Sequence, residues 1–367
     1  VSASKLPRWA EVGLLPLVNL LAALLISGAV IRLVGESPWQ ALKLMASGAF
    51  GTQDAIGYTC FYATDFVFTG LAVAVAAHAG LFNIGGEGQA YIGGLGAGLV
   101  CLACGSWSPW VVLPLAIASA GAFGALWAFI PAWLQARRGS HIVITTIMGN
   151  FIASALMTYL LVNVLIRPGQ QSPETREFGP GAAMPAVHEV LARFGITFAP
   201  SPFNLASLLA LVACVLVWVF IWRTKTGYAL RVAGQNPEAA VYAGISPQSI
   251  ILVSMVISGA LAGCLGVNEL MGSQHRILLD FPGGAGFVGI AVALMGRNHP
   301  AGILAASLLF GALYQGGSQL SFDMPHVNRD MVVLIQGLVI LFCGALENVF
   351  RAPLAALFRA RKPKERA

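Results

Sequence analysis

Charge is what this sequence has least of. About a tenth of its 367 residues are Asp, Glu, Lys or Arg, where ordinary soluble domains carry roughly a quarter, so a shell facing water on all sides cannot be built from them. Hydrophobic residues make up 57% of the chain and the mean hydropathy is +0.78, which requires a surface that faces lipid. Catalytic signatures are missing as well. None of the five lysines (Lys5, Lys43, Lys225, Lys362, Lys364) follows a glycine, which excludes the Gly-Lys-Ser/Thr of a nucleotide-binding loop. After His188-Glu189 comes Ala192 where the HExxH zinc motif needs a second histidine, and neither Gly-x-Ser-Gly nor Gly-x-Gly-Asp occurs for a membrane protease. The six cysteines are scattered through apolar segments and read as small buried hydrophobes, not as a disulfide framework. Cys101 and Cys104 form a CxxC without a second pair or a nearby histidine. Gly284 to Gly289 matches GxGxxG, but a dinucleotide fold needs a preceding strand, so tight helix packing is the better reading.

What the chain does have is a succession of apolar runs of about 20 residues, each long enough to cross a bilayer. The runs are continuous and do not alternate, which disfavours a barrel. They read as Val12 to Val34, Ala55 to Ala79, Ala90 to Cys104, Trp110 to Leu134, Thr145 to Ile166, Leu205 to Trp222, Ser249 to Leu270, Gly284 to Gly296, Ala301 to Leu320 and Met331 to Val349. The expected fold is therefore an all-α, polytopic integral membrane bundle of about ten transmembrane segments. The first run exceeds the roughly 7–15 apolar residues of a signal sequence and is read as a retained span. A weakly amphipathic piece from Ser37 is assigned to the outer surface. Gly284 to Gly296 is too short to span at about 1.5 Å per residue and reads as a half-helix or re-entrant segment. Glycine clusters near residues 81 and 281 look alike, which admits two related halves of the kind found in many transporters.

With 21 basic and 15 acidic residues the net charge is +6. Its placement says more than its sum, and nucleic acid is not implied. If the N terminus is cytoplasmic, Lys5, Arg8, Arg137, Arg138, Arg223, Lys225, Arg231, Arg297 and the six basic residues from Arg351 to Arg366 fall inside, 14 of the 21. The positive-inside rule then places both termini in the cytoplasm. It also makes 167–203 a periplasmic loop and 226–246 a cytoplasmic one.

Polar groups inside the spans are expensive and mark pathways or helix contacts. Asp65, Glu87 and Glu269 qualify by position. In Gly80 to Gln89, glycines flank Asn83, Glu87 and Gln89, as in a broken helix lining a polar route, or as in a simple cytoplasmic turn. Glu269 suits hydrogen-bond acceptance from a sugar or a base amine, and equally one bond between helices. His78, His275 and Arg276 sit near span ends as interfacial anchors. With the flat faces of Phe82 and Phe287, the candidate cargo contacts are Phe82, Asn83, Glu87, Gln89, Glu269 and Phe287. In the 226–246 loop, Asn236 suits an N-cap, Pro237 the first helical position, Glu238 the positive end of the helix dipole and Gly244 a helix stop. A two-turn helix is marginal alone and must rest on something.

At this point the residues resemble a known family. Glu238-Ala239-Ala240 followed by Gly244 is similar to the EAA loop of ATP-binding-cassette importer permeases, although the family's later Leu-Pro is missing. GLFNIGGEGQ, ELMGSQHR and GFVGIAVALMGRNHPAG resemble the branch serving ribose-type sugars, branched-chain amino acids and nucleosides, most closely its nucleoside members. The pattern departs at Asp65 and His78, where related sequences tend to carry proline and a basic residue. The resemblance implies one transmembrane permease domain over 1–367 in a bacterial inner membrane. That chain would not be an enzyme and would bind no cofactor, with ATP-Mg held by two separate ATPase subunits. It also implies a second permease, identical or homologous, and a periplasmic or lipid-anchored binding protein. In that reading Asn236, Pro237, Glu238, Ala239, Ala240 and Gly244 couple to the ATPase. The rival readings are a self-sufficient ion-coupled transporter, for which only three buried acids are available, and an intramembrane enzyme.

Overall fold

The computed structural model describes residues 14–342 except Pro168 and Pro325. Lys5, Arg8, Cys343, the expected span end at Val349 and the basic tail from Arg351 to Arg366 lie outside the described residues. So do both termini.

Among the described residues the regular structure is helical, with only two isolated bridges, Glu174 to Leu278 and Ala186 to Asn204. The helices are α1 (Leu15–Leu33), α2 (Pro38–Phe50), α3 (Gln53–His78), α4 (Gly86–Cys104), α5 (Pro109–Arg138), α6 (Ile142–Asn163), α7 (Val187–Ala192), α8 (Ala206–Arg223), α9 (Lys225–Gln235), α10 (Pro237–Tyr242), α11 (Pro247–Gly263), α12 (Ala285–Met295), α13 (Pro300–Asp323) and α14 (Arg329–Ile340). A π-helix, Val267–Gln274, continues α11. Several helices start where a side chain satisfies a free N–H: Thr224 Oγ1 accepts from Gly227 N and Asn236 Oδ1 from Ala239 N, both at 3.0 Å. Proline follows the cap in α2, α5, α10 and α11, where its missing N–H costs nothing.

The chain packs as two compact units. One comprises Val1–Gly51 with Leu313–Ala367. Within its described part α1 packs on α14, and α1 and α2 meet at a bend of 118°. The backbone of α13 presses on that of α2, since a Cβ on Gly316 would lie 2.3 Å from Met45 O. The piece from Ser37 thus forms a helix folded back on α1.

The other unit, Thr52–Ala312, is built around α3. In its most apolar stretch 83% of the residues are buried, against 28% for both α5 and α6, so α3 is an interior helix and those two form the perimeter. Large apolar side chains such as Leu126, Ile152 and Val215 stand exposed on α5, α6 and α8, as a lipid-facing surface requires. Lipid gives no hydrophobic drive for helix pairing, so small residues must allow close approach. Gly259 and Gly263, four apart on α11, meet α5 in this way: a Cβ on Gly259 would fall 2.3 Å from Gly124 O, and one on Gly263 2.4 Å from Ala120 O.

Six of the described stretches are long and apolar enough to cross a bilayer: α3, α5, α6, α8, α11 with its π-helix, and α13. A seventh arises if the bent pair α1–α2 is one span. The expected ten is not reached by this measure, for separate reasons. α4 has six glycines together with Glu87 and Gln89 among its 19 residues, α12 has 11 residues, and the last run is described only as far as Phe342. The turns sort to two ends of the unit. At one end the 167–203 loop meets the turn after α4 and the segment after the π-helix, with Gly181 N donating to Gly105 O (2.9 Å) and Phe178 N to His275 O (2.7 Å). At the other, Gly80 packs on Gly234 of α9, His78 Nε2 lies 3.0 Å from Asn298 O, and the Trp222 ring contacts both His78 and His299.

Candidate functional site: two helix N termini inside the bundle

Two glycine-bearing segments break their crossings. After α3 the chain runs through residues 81–84 without regular structure before α4 starts. Asn83 within it is 1% exposed. Its Nδ2 donates to Gln89 Oε1 (2.9 Å) and Ser258 Oγ (2.8 Å), while its Oδ1 accepts from Gly85 N (2.9 Å) and Gln89 Nε2 (3.1 Å). Ser258 Oγ in turn donates to Ala72 O (2.6 Å). At 1.5 Å per residue Ser258 lies about 17 Å along α11 and Ala72 about 9 Å from the end of α3. The segment has therefore entered the bundle before α4 begins. Burial this deep is tolerated because the Asn83 amide, the Leu81 N–H and the Ile84 carbonyl all have protein partners.

The second break comes from the opposite end. A series of turns covers residues 279–284, with positive φ at Asp280, Gly283 and Gly284, and α12 then runs back toward His78 and Asn298. Eleven residues rise about 16 Å, half the roughly 30 Å hydrocarbon layer, so α12 also starts near mid-depth. The two N termini touch, for a Cβ on Gly286 would lie 2.2 Å from Glu87 N. Glu87 joins them: Oε1 accepts from Gly284 N and Oε2 from Gly286 N, both at 2.8 Å. A carboxylate in the first turn of α4 and at the cap of α12 complements the positive dipole ends of both helices.

Beside this junction lies a cleft of about 340 Å³, lined among others by Glu87, Tyr91, Asn150, Phe151, Asp280 and Phe287. Asn150 is tied into the first break, its Nδ2 donating to Ile84 O and its Oδ1 accepting from Gly88 N, both at 2.9 Å. Phe287 is 47% exposed at the first turn of α12. The cleft thus offers acceptors and aromatic faces side by side in a largely apolar bundle.

A third polar cluster lies deeper. Asn204 Nδ2 donates to Asn268 Oδ1 (2.9 Å), and Asn268 Nδ2 donates to Asp65 Oδ1 (3.0 Å) and Phe61 O (3.2 Å). The Glu269 side chain hydrogen-bonds those of Asp65 and Gln274. This network ties α3, the start of α8 and the π-helix together.

At the end of the unit that carries His78, α9 and α10 form a small platform. Asn236 caps α10, and Gly244 ends it at φ +74°. Gly244 N donates to Val241 O (3.0 Å) and Ile245 N to Ala240 O (2.9 Å), the paired bonds of a Schellman stop. Ala240 is buried, whereas Val241 and Tyr242 are exposed, Tyr242 at 94%. The helix rests on α9 and α11 and leaves an apolar outer edge uncovered.

A family model described as branched-chain amino acid transport system / permease component matches residues 55–344. The chain belongs to this family. It is 36% identical over 90% of its length to the guanosine ABC transporter permease protein NupP of Bacillus subtilis (strain 168), covering 93% of that protein. To the glucose ABC transporter permease protein TsgB13 of Haloferax volcanii it is 32% identical over 97% of its length, covering 93% of that protein. The nucleoside ABC transporter permease protein NupB of Lactococcus lactis subsp. cremoris is 31% identical over 90% of each chain. No solved structure matches. The chain is a membrane-embedded, non-catalytic permease subunit of an ABC importer, which works with ATPase and substrate-binding components.

In this permease the expected cargo residues take separate places. Glu87 and Phe287 share the cleft. Asn83 and Gln89 are locked to each other and to α11, Glu269 belongs to the Asp65 network, and Phe82 is partly exposed in the first break. Tyr91, Asn150, Phe151 and Asp280 were not singled out from the sequence. Only Asp280 carried a usable signal, a lone acid between the run that ends at Leu270 and the half-helix from Gly284.

Proposed function

We propose that this permease moves a nucleoside across a bacterial inner membrane, through the cleft beside the two helix N termini. The observation that carries the reading is the pairing there of hydrogen-bond acceptors with the rings of Phe287, Tyr91 and Phe151, which suits a ribose joined to a flat base. Similarity to guanosine and nucleoside permeases supports it. A simple sugar is the second reading, favoured by the similarity to a glucose permease. The cargo contacts in this proposal are Glu87 and Phe287, with Phe82 at the approach; Asn83, Gln89 and Glu269 hold the walls. Residues 1–367 act as one permease domain with both termini cytoplasmic and 167–203 periplasmic. Two ATPase subunits carrying ATP-Mg, a second permease and a periplasmic or lipid-anchored binding protein complete the importer. The 226–246 loop docks on an ATPase through α10, so that its closure swings the helices continuous with that loop. Lipid surrounds the perimeter helices.

The test is ATP-driven uptake by the assembled importer in proteoliposomes, with its binding protein supplied. Radiolabelled guanosine should accumulate and glucose should not. Accumulation of glucose alone selects the second reading, and accumulation of neither rejects both.

A further inference from the structure

One acid in the cleft is not held as Glu87 is. Both Glu87 oxygens accept N–H groups of α12, whereas Asp280 is exposed on the cleft wall. Its backbone is fixed: Asp280 N donates to Tyr91 Oη at 2.6 Å, and the neighbouring Phe281 ring packs edge-on against Tyr91 with centroids 5.2 Å apart. A φ of +56°, uncommon for a residue with a Cβ, belongs to the same built turn. Through Tyr91, about 8 Å into α4 and about 20 Å short of its far end, Asp280 lies inside the bundle, on the 167–203 side of the helix junction.

An exposed carboxylate at that depth needs water, a cation or a hydrogen-bond donor. No Lys or Arg occurs between Lys43 and Arg137, between Arg138 and Arg167, or between Arg231 and Arg297 apart from Arg276. Arg276 lies at the end of the unit that carries the 167–203 loop, paired with Glu174 at 3.0 Å and Glu177 at 3.7 Å. The helices that wall the cleft therefore hold no Lys or Arg for Asp280. A neutral donor arriving with the cargo answers the need.

We infer that Asp280 is a specificity-determining residue of the cleft, accepting both hydroxyls of a vicinal diol while the base lies against Phe287. A carboxylate is an acceptor with two oxygens, and hydroxyl-to-carboxylate bonds are among the stronger hydrogen bonds. At about 340 Å³ the cleft falls at the small end of the range for ligand sites. This inference rests on the nucleoside reading and narrows it to ribonucleosides.

The experiment compares uptake of guanosine and 2′,3′-dideoxyguanosine by the assembled importer, each at a concentration that saturates the binding protein. In the unaltered importer guanosine should be preferred. Asp280→Asn and Asp280→Ala should reduce that preference about tenfold by slowing guanosine while dideoxyguanosine uptake stays within about twofold. Equal loss for both substrates, or an unchanged ratio, overturns the inference and leaves the nucleoside reading intact. Loss of assembled complex in both variants also overturns it, because an exposed carboxylate that meets only cargo is dispensable for folding. If the unaltered importer carries no nucleoside, the parent reading is the one that fails.

Discussion

At the scale of single residues, the polar groups of the broken crossings divide into those that hold the breaks together and those that face the cleft. Asn83 makes four hydrogen bonds with Gln89, Ser258 and the backbone of Gly85, and that exhausts what its amide can usefully do in a buried site. Glu87 does both jobs, since it lines the cleft while closing the N terminus of α12. Removing its carboxylate would leave two N–H groups without partners and two positive dipole ends facing each other, a cost of about 3–6 kcal/mol at about 1.5–3 kcal/mol for each hydrogen bond to a charged group. Glu87→Ala should accordingly lower the thermal stability and yield of the purified complex, and Glu87→Gln, which keeps one acceptor, should lower them less. Melting of detergent-solubilised complex by tryptophan fluorescence measures this. Equal stability of both variants and the unaltered protein would show the clasp to be dispensable.

Among the elements, α10 illustrates a helix written almost completely in local code. Asn236, Pro237, Glu238 and Gly244 predict its two ends, and it forms over Pro237–Tyr242 with those groups in those places. Gly244 has open space around a missing Cβ but sits at φ +74°, so Gly244→Val is disfavoured by backbone conformation and not by crowding. Glu238→Arg places a cation at the positive end of the dipole. In the docked importer both variants should keep membrane insertion and ATPase binding measurable while stimulated ATP hydrolysis no longer drives uptake, so that ATP consumed per cargo moved rises at least severalfold. Normal stoichiometry in both would remove α10 from the coupling step.

For the whole molecule, the two glycine segments share a form and run in opposite directions. Each is an irregular stretch followed by a helix N terminus at mid-depth, one entering from the His78 end and the other from the end that carries the 167–203 loop. Such inverted discontinuous helices are a recurring way of placing a site at the centre of a transporter. The sorting of turns to two ends yields a topology prediction. In a variant lacking the six native cysteines, a cysteine at Arg193 should react with a membrane-impermeant maleimide from the periplasmic side of intact cells. One at Tyr242 should react only after the inner membrane is opened. The reverse pattern would invert the permease and move α10 away from any cytoplasmic ATPase.

The sequence by itself determined the solvent, the helical class, the family and the α10 caps, because these depend on composition, on run length and on residues within a few positions of one another. It also marked α12 as too short to span. It could not determine which polar side chains face a cleft, because a buried amide bonded to a neighbouring helix and one aimed at cargo have the same local context. Asn83 and Gln89 became wall residues through Ser258, about 170 positions away. Asp280 joined the cleft because Tyr91 and Phe281 fix its turn against α4. Which runs cross completely is decided in a related way: α4 is long enough to be a span, yet the backbone contact of Gly286 with Glu87 sets its start inside the bundle. Those outcomes were decided by glycine-permitted close approach and by the requirement that every buried N–H and C=O find a partner in lipid, and both are properties of tertiary packing.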